Sequence, residues 1–213
     1  MRRSYPRKLT EATRTQAARL NGLSAGYAPF NVQELGGSLY VTYAVQDANC
    51  QDDVAGAGHG IVDVFDLQGN LLRRLVTGGE LNSPWGLARA PSSFAALAGD
   101  LLVGNFGDGT IHVYDPTTGK LVDTLTGPGD TPLATIDGLW ALIAGNAGNG
   151  GSADSIYFTA GPDGETHGLF GVMSVPEPSS FALVALGLVV LARRGSARSA
   201  CEAATPQPAS SSG

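Results

Sequence analysis

Three aromatic landmarks recur along the middle of the chain at one fixed spacing. Phe30 stands in AGYAPFNV, Trp85 in LNSPWGLA and Trp140 in TIDGLWAL, and 55 residues separate each landmark from the next. An apolar stretch of β-strand character follows each landmark, at residues 39–44, 100–106 and 155–161. A unit of this length cannot bury its own apolar face, so neighbouring units must pack on one another.

A second feature repeats after those stretches. GIVDVFDLQGNLLRRL (60–75) agrees almost position by position with GTIHVYDPTTGKLVDTL (109–125). Each segment predicts a strand, a tight turn and a second strand. Val62 and Val64 alternate with the polar Asp63, which is the pattern of a strand with one buried and one solvated face.

The turns of these two hairpins carry matching residues. Asp66 and Asp115 can accept hydrogen bonds from the turn backbone, and Gly69 and Gly119 can supply the positive φ that such turns need. The repeat therefore extends to the turn chemistry.

Each unit thus holds roughly four short strands, which is typical of a β-propeller blade. The 30 glycines and 12 prolines suit such a turn-rich fold. We predict an all-β chain, a β-propeller-like domain over residues 23–174 with about three four-stranded blades. The blades are expected at 25–77, 81–127 and 135–173, the last copy stopping before its outer strand.

Two alternatives stay open. A β-sandwich with accidental internal similarity would also explain the strands. Because propellers close with about four to eight blades, we expect either a fragment of a longer protein or copies that associate to complete a ring. The fragment is the favoured interpretation.

Charge divides the chain into three parts. Residues 1–22 carry a net charge of +5, residues 23–175 a net charge of −12 and residues 176–213 a net charge of +1. The acidic middle would repel phosphate backbones, which argues against nucleic-acid binding. The basic start, without an apolar core, is not typical of a secretory signal peptide and is interpreted as a non-native-looking segment.

An apolar run near the C-terminus has flanks of its own. It covers 14 residues, 179–192, whereas about 18 to 20 are needed to span a bilayer. We predict a short hydrophobic transmembrane helix that inserts transiently into the membrane, followed by a disordered tail at 195–213.

The flanks of that run carry a resemblance. VPEPSS, then FALVALGLVVLA, then a pair of arginines resembles the PEP-CTERM sorting signal of Gram-negative bacteria, here residues 175–194. The resemblance implies recognition by exosortase, a membrane protease, with loss of the tail in the mature protein. The residues that it assigns to sorting are Pro176, Glu177, Pro178, Arg193 and Arg194.

The middle of the chain, about 23–173, resembles an uncharacterised family of PEP-CTERM-tailed proteins with a propeller-like body. The residues that carry this resemblance include AGYAPFNVQELGGSLYVTYA, LLVGNFGDGTIHVYDPTTG and YFTAGPDGETHGLFG. The sorting-signal resemblance implies an exported protein of the cell envelope, membrane or extracellular space, associated with extracellular polysaccharide. The sequence contains no convincing catalytic constellation, so we expect a non-catalytic structural or binding role for the body. The alternative is a fragment of a metal-dependent propeller hydrolase such as a lactonase.

Candidate metal ligands are weak. Asp47, Asp52 and Asp53 could offer oxygen ligands to Ca²⁺, although they lack the spacing of a calcium loop and suit an exposed acidic loop equally well. A resemblance to gluconolactonase-type propeller enzymes would use channel-side residues, for which the candidates are Asn31, Asn105 and Asp137. No cofactor is expected.

Other chemistry is discounted or left open. No GxSxG segment supports a serine nucleophile, and His59, His112 and His167 are interpreted as exposed residues without a shared site. Tyr27, Phe30, Trp85 and Trp140 could form a carbohydrate-stacking surface, although packing between blades is the favoured role for rings that recur in a repeat.

Overall fold

The computed structural model describes residues 22–126 and 135–174. Predictions that concern residues 1–21, 127–134 and 175–213, including the C-terminal hydrophobic helix and tail, lie outside this part. In the described ranges, we find no helix with both the length and the apolar character needed to cross a bilayer.

The described residues form eleven strands and two short helical segments. The strands are β1 (Tyr27–Leu35), β2 (Ser38–Val45), β3 (Gly60–Phe65), β4 (Leu71–Thr77), β5 (Pro84–Arg89), β6 (Leu101–Asn105), β7 (Ile111–Tyr114), β8 (Leu121–Thr124), β9 (Leu139–Ala144), β10 (Ser155–Ala160) and β11 (Leu169–Ser174). A 3-10 helix covers Ser92–Leu97, and α1 covers Pro162–Glu165.

The strands form three antiparallel sheets in chain order. β1–β4 form the first sheet, β5–β8 the second sheet and β9–β11 the third sheet. This confirms the all-β class and places one sheet in each predicted repeat. The third sheet has three strands within the described residues rather than the four of a full blade. No described sheet closes on itself, and the propeller stays a prediction.

The central strands of the second sheet, β6 and β7, are buried on both faces. The core that the second sheet shares with the first sheet contains Tyr40, Val62, Val64, Leu87, Leu101 and Val103. The core that it shares with the third sheet contains Leu102, Val113, Leu139, Leu142 and Ile156. Burial of these apolar side chains is the main stabilising contribution that such stacked sheets can make.

The prediction that one face of the hairpin strands is solvated is wrong. All six residues of β3 are buried, as are all four of β7. Asp63 is 0% exposed. Its burial is compensated because Arg74 pairs with both of its carboxylate oxygens, at 2.9 Å from Nε and 3.2 Å from Nη2. The bidentate Arg74 guanidinium thus takes the place of the water that the alternating pattern predicts around the Asp63 carboxylate.

The hairpin turns agree with the prediction. Backbone N–H groups donate to the Oδ1 atom of Asp66 and to the Oδ1 atom of Asp115, at 2.7–2.9 Å. These hydrogen bonds favour the charged carboxylates and lower both pKa values, with the Asn70 side-chain amide as the largest cause at Asp66. Gly69 and Gly119 have φ of 85° and 70°.

The outer face of the third sheet, on the side away from the second sheet, differs from the other sheet faces. It carries Ile143, Tyr157, Phe170 and Val172, and Phe170 is 70% exposed. The rings of Tyr157 and Phe170 stack at 5.9 Å. This face is apolar and open to solvent.

Candidate functional site

Three aromatic side chains occupy the same position in three successive sheets. The ladder register shifts at this point between β1 and β2, between β5 and β6, and between β9 and β10. Phe30, Trp85 and Trp140 are the residues at the shifts. A bulge changes the direction of the side chain of the unpaired residue. The three rings therefore project from equivalent positions of the three sheets, at the same edge of the stack.

Two of these rings are in contact. The rings of Phe30 and Trp85 meet edge to face at 4.6 Å, and Phe106 lies 6.2 Å from Phe30 in a similar arrangement. Asn31 Nδ2 donates to the carbonyl oxygen of Trp85 at 2.8 Å. This hydrogen bond joins the first and second sheets next to the ring pair, so the rings are held in a defined orientation.

Trp140 is fixed by different groups. Its indole Nε1–H donates to Glu165 Oε1 at 3.2 Å. Gly161 lies against the ring so closely that a Cβ there would clash with it. One side of the indole therefore packs on backbone, and the indole nitrogen has a partner.

The rings line one shared depression, which we call the aromatic cleft. Its volume is about 780 Å³. The lining residues include Phe30, Trp85, Phe106, Trp140, Asp52, Asp53 and Glu165. The three landmark rings are each partly exposed, and the contact of Phe30 with Trp85 agrees with the favoured packing role. The size is that of a small-molecule or short-oligomer site.

Tyr27 does not join this cleft. Its hydroxyl donates to the carbonyl oxygen of Gly58 at 3.3 Å. The sequence analysis missed Phe106 and Glu165, because neither is part of the 55-residue pattern. The only available signal was their position in the turn segments NFGDGT and GPDGETHG.

The acidic loop residues have separate roles. Asp47 Oδ1 accepts hydrogen bonds from the backbone N–H groups of Gln51 and Asp52, at 2.9 and 3.4 Å. The Gln51 bond is the largest cause of the lowered pKa of Asp47. Asp52 and Asp53 instead line the aromatic cleft. Of the predicted calcium ligands, Asp47 thus holds its own loop together, whereas Asp52 and Asp53 face the cleft.

The proposed channel-side ligands Asn105 and Asp137 are each engaged by backbone groups. Asn105 is fully buried, donates to the Glu80 carbonyl oxygen at 2.8 Å and accepts from the Asn82 N–H at 3.1 Å. Asp137 accepts from the Asp163 N–H at 2.9 Å. Within residues 22–126 and 135–174, no group of three or more His, Cys, Asp or Glu side chains is arranged to hold a metal ion.

The prediction that all three histidines are exposed is wrong for His112. This side chain is 6% exposed and lies between the hydroxyls of Thr110 and Thr124, at 3.0 and 2.8 Å. Burial lowers its pKa below the ordinary value. His59 donates Nδ1–H to the Val54 carbonyl oxygen at 2.8 Å, and His167 is exposed. The three do not form one site.

The geometry defines a stacked-sheet β body with an aromatic cleft. The C-terminal part of the chain adds a second feature, since residues 174–198 match the family described as the PEP-CTERM protein-sorting motif. This match contains Pro176, Glu177, Pro178, Arg193 and Arg194, which lie outside the described residues. The sorting-signal resemblance is supported at the level of this motif.

The chain is similar to viral proteins. Two uncharacterised proteins of Acanthamoeba polyphaga mimivirus are 37% and 38% identical over 146 and 148 residues, which is 68% of this chain in each case. The chain spans 35% and 37% of the length of these relatives. A bacterial family was expected, and these relatives do not confirm it.

Solved structures show a weaker likeness. Hydrazine synthase of Kuenenia stuttgartiensis has 15% identity and a TM-score of 0.36, covering 68% of this chain and 46% of that chain. Virginiamycin B lyase of Staphylococcus aureus, solved in a catalytically inactive form with quinupristin, has 12% identity and a TM-score of 0.34, covering 76% and 60%. We draw no conclusion about fold or activity from TM-scores of this size.

Proposed function

We propose that this chain is an exosortase substrate that is exported to the cell envelope or the extracellular space. The match of residues 174–198 to the sorting motif carries the proposal. Pro176, Glu177 and Pro178 would be recognised by the membrane protease. The apolar run at 179–192 would hold the tail in the membrane until cleavage, and the following arginine pair would stay on the cytoplasmic side.

A short apolar run suits a temporary anchor. At 14 residues it is below the length that spans a bilayer without strain. Proline disfavours helix and restricts the residue before it to extended conformations, and an extended segment is the form in which a protease binds its substrate. Cleavage would then separate the β body from its membrane contact.

The β body has a non-catalytic structural or binding role in this proposal, with extracellular polysaccharide as its partner. The hydrogen bonds of Asn31, Asn105 and Asp137 support this role, because each of these candidate metal ligands is engaged by a backbone group. The hydrolase alternative would need their polar atoms to be available to a metal ion instead.

Replacement of the glutamate in the motif tests the sorting step. The full chain, with an export signal fused ahead of it and an epitope after Gly213, is expressed in a host that contains exosortase. Glu177→Ala should leave the epitope on a full-length, membrane-bound product, whereas the unaltered chain should lose it. Immunoblots of membrane and released fractions measure the difference.

Glu202→Ala is the matched control, because it removes the same side chain outside the matched residues 174–198. It should be processed like the unaltered chain. Equal processing of the Glu177→Ala chain would show that the sorting assignment is wrong.

A further inference from the structure

The landmark rings of the aromatic cleft follow one another in a row. Phe30, Trp85 and Trp140 belong to adjacent sheets, and each stands where the ladder of its sheet shifts. The cleft therefore presents one ring for each repeat. The rings of Phe30 and Trp85 stand edge to face at 78°, so the cleft offers aromatic contacts along its length rather than one flat platform. Such contacts suit a ligand built from successive ring units more than a compact ligand that the rings would have to surround.

The rings are prepared for stacking. Contacts between rings, the Asn31 bond to the Trp85 carbonyl and the Glu165 bond to the Trp140 indole limit their motion before any ligand arrives. The ring of Trp140 packs on Gly161 and also lines the cleft. Rigid aromatic surfaces bind with little loss of conformational entropy.

The charges of the cleft narrow the ligand class. The lining residues include the carboxylates of Asp52, Asp53 and Glu165 together with Gln51 and Thr159, and they include no lysine or arginine. Carboxylate oxygens accept hydrogen bonds from hydroxyl groups and repel anions. Uronate, sulfate and phosphate groups are therefore disfavoured, and uncharged hydroxyl-rich rings are favoured.

We infer that the aromatic cleft binds short stretches of uncharged polysaccharide. The apolar C–H faces of the sugar rings pack against Phe30, Trp85 and Trp140, and the hydroxyl groups donate to the carboxylates that line the cleft. The inference rests on the proposed function for its setting, because export is what brings the cleft to such polymers. The volume of about 780 Å³ accommodates a short oligosaccharide.

Intrinsic fluorescence gives a direct test. The chain has two tryptophans, Trp85 and Trp140, and both line the cleft. The purified full chain is titrated with three neutral oligosaccharides, namely cellohexaose, laminarihexaose and mannohexaose. At least one should change the tryptophan emission saturably, with a Kd of about 1 mM or tighter. Calorimetry provides the second measurement of the same affinity.

Variants locate the binding. Trp140→Ala and, from a different sheet, Trp85→Ala should each weaken binding at least about tenfold, by analogy with the loss of a stacked base from an aromatic side chain. Phe170→Ala is the matched control, since it removes an exposed ring that stacks outside the cleft. It should bind like the unaltered chain, and circular dichroism should show that all variants fold.

Other outcomes overturn the inference. The first is the absence of saturable binding by all three neutral oligosaccharides. The second is an affinity of both tryptophan variants equal to that of the unaltered chain. The third is tighter binding of a charged probe, either the anionic oligoalginate or the cationic choline chloride, than of the neutral oligosaccharides. The Glu177→Ala chain should retain full affinity for the sugar. A failure of the sorting experiment is therefore distinguishable from a failure of the binding experiment.

Discussion

The second and third sheets are two copies of the same repeat, yet their surroundings differ. Leu102 of the second sheet is fully buried against the third sheet, whereas Tyr157 occupies the corresponding position of the third sheet and is partly exposed. Around Tyr157, Ile143 and Val172 are each 55% exposed. The repeat supplies an apolar face to every sheet, and a neighbouring sheet decides whether that face is buried.

The correspondence between sheets is visible in their hydrogen bonds. Thr42 Oγ1 in the first sheet accepts from the Asn31 N–H at 3.0 Å, and Thr159 Oγ1 in the third sheet accepts from the Ala141 N–H at 3.3 Å. Both threonines satisfy a backbone donor that the register shift leaves without a ladder partner. The sheets therefore share their backbone design, and the difference between them arises from packing.

The largest expected difference between the sheets concerns side-chain truncation. Leu102→Ala should lower the free energy of unfolding by about 3 kcal/mol, because it removes buried methyl groups and leaves a cavity. Ile143→Ala removes the same number of carbon atoms from the outer face of the third sheet and should cost less than about 1 kcal/mol. Urea unfolding measures both. Equal losses would contradict the exposure of that outer face.

A smaller difference is expected at glycine positions. Gly86 in the second sheet lies so close to the third sheet that a Cβ would stand 2.7 Å from Leu142 Cγ and 2.9 Å from the Trp140 carbonyl oxygen. Gly86→Ala should therefore destabilise the protein by about 2 kcal/mol through overpacking.

Gly168→Ala serves as the control for that change, because a Cβ at this position has no neighbour within 4 Å. We expect a change within about 0.5 kcal/mol, again from urea unfolding. A tolerated alanine at position 86 would mean that the second and third sheets pack less closely than the structure has them.

The smallest effect concerns pH. Burial lowers the pKa of His112 below its ordinary value of 6.5, so the folded state disfavours the protonated form. The stability contribution of the neutral ring is present above pH 6.5 and is lost as the pH falls through the lowered pKa. The unaltered chain should therefore lose stability between about pH 7 and pH 5, measured by urea midpoints at both values.

His112→Gln should reduce this pH dependence, whereas His167→Gln should keep it, because His167 is largely exposed. If both substitutions leave the same dependence as the unaltered chain, another group carries it and the burial of His112 is not its cause.

Much of the fold could be predicted from the sequence. The 55-residue spacing of Phe30, Trp85 and Trp140 placed one sheet in each repeat, and the matching turns placed Asp66 and Asp115 correctly. These features are local, since strand alternation and turn hydrogen bonds depend on residues close in the chain.

The candidate site could be predicted only in part. The recurrence of the landmark rings pointed to a shared surface, but Glu165 and Phe106 reach the cleft through turns that do not repeat. Tyr27 stands three residues before the landmark Phe30 and still lies outside the cleft. Which side chains meet in a cleft depends on contacts between distant segments, and a single sequence does not show such contacts.

The sequence by itself determined the strands, the turns, the repeat and the sorting motif at residues 174–198, because each depends on neighbouring residues or on a linear signal. The tertiary structure alone decided that Asp63 and His112 are buried and that the landmark rings share one cleft. The physical reason is that a polar side chain can enter a core once a side chain on the opposite strand satisfies it, as Arg74 does for Asp63 and Thr124 for His112. The alternation of polar and apolar residues cannot reveal that partner.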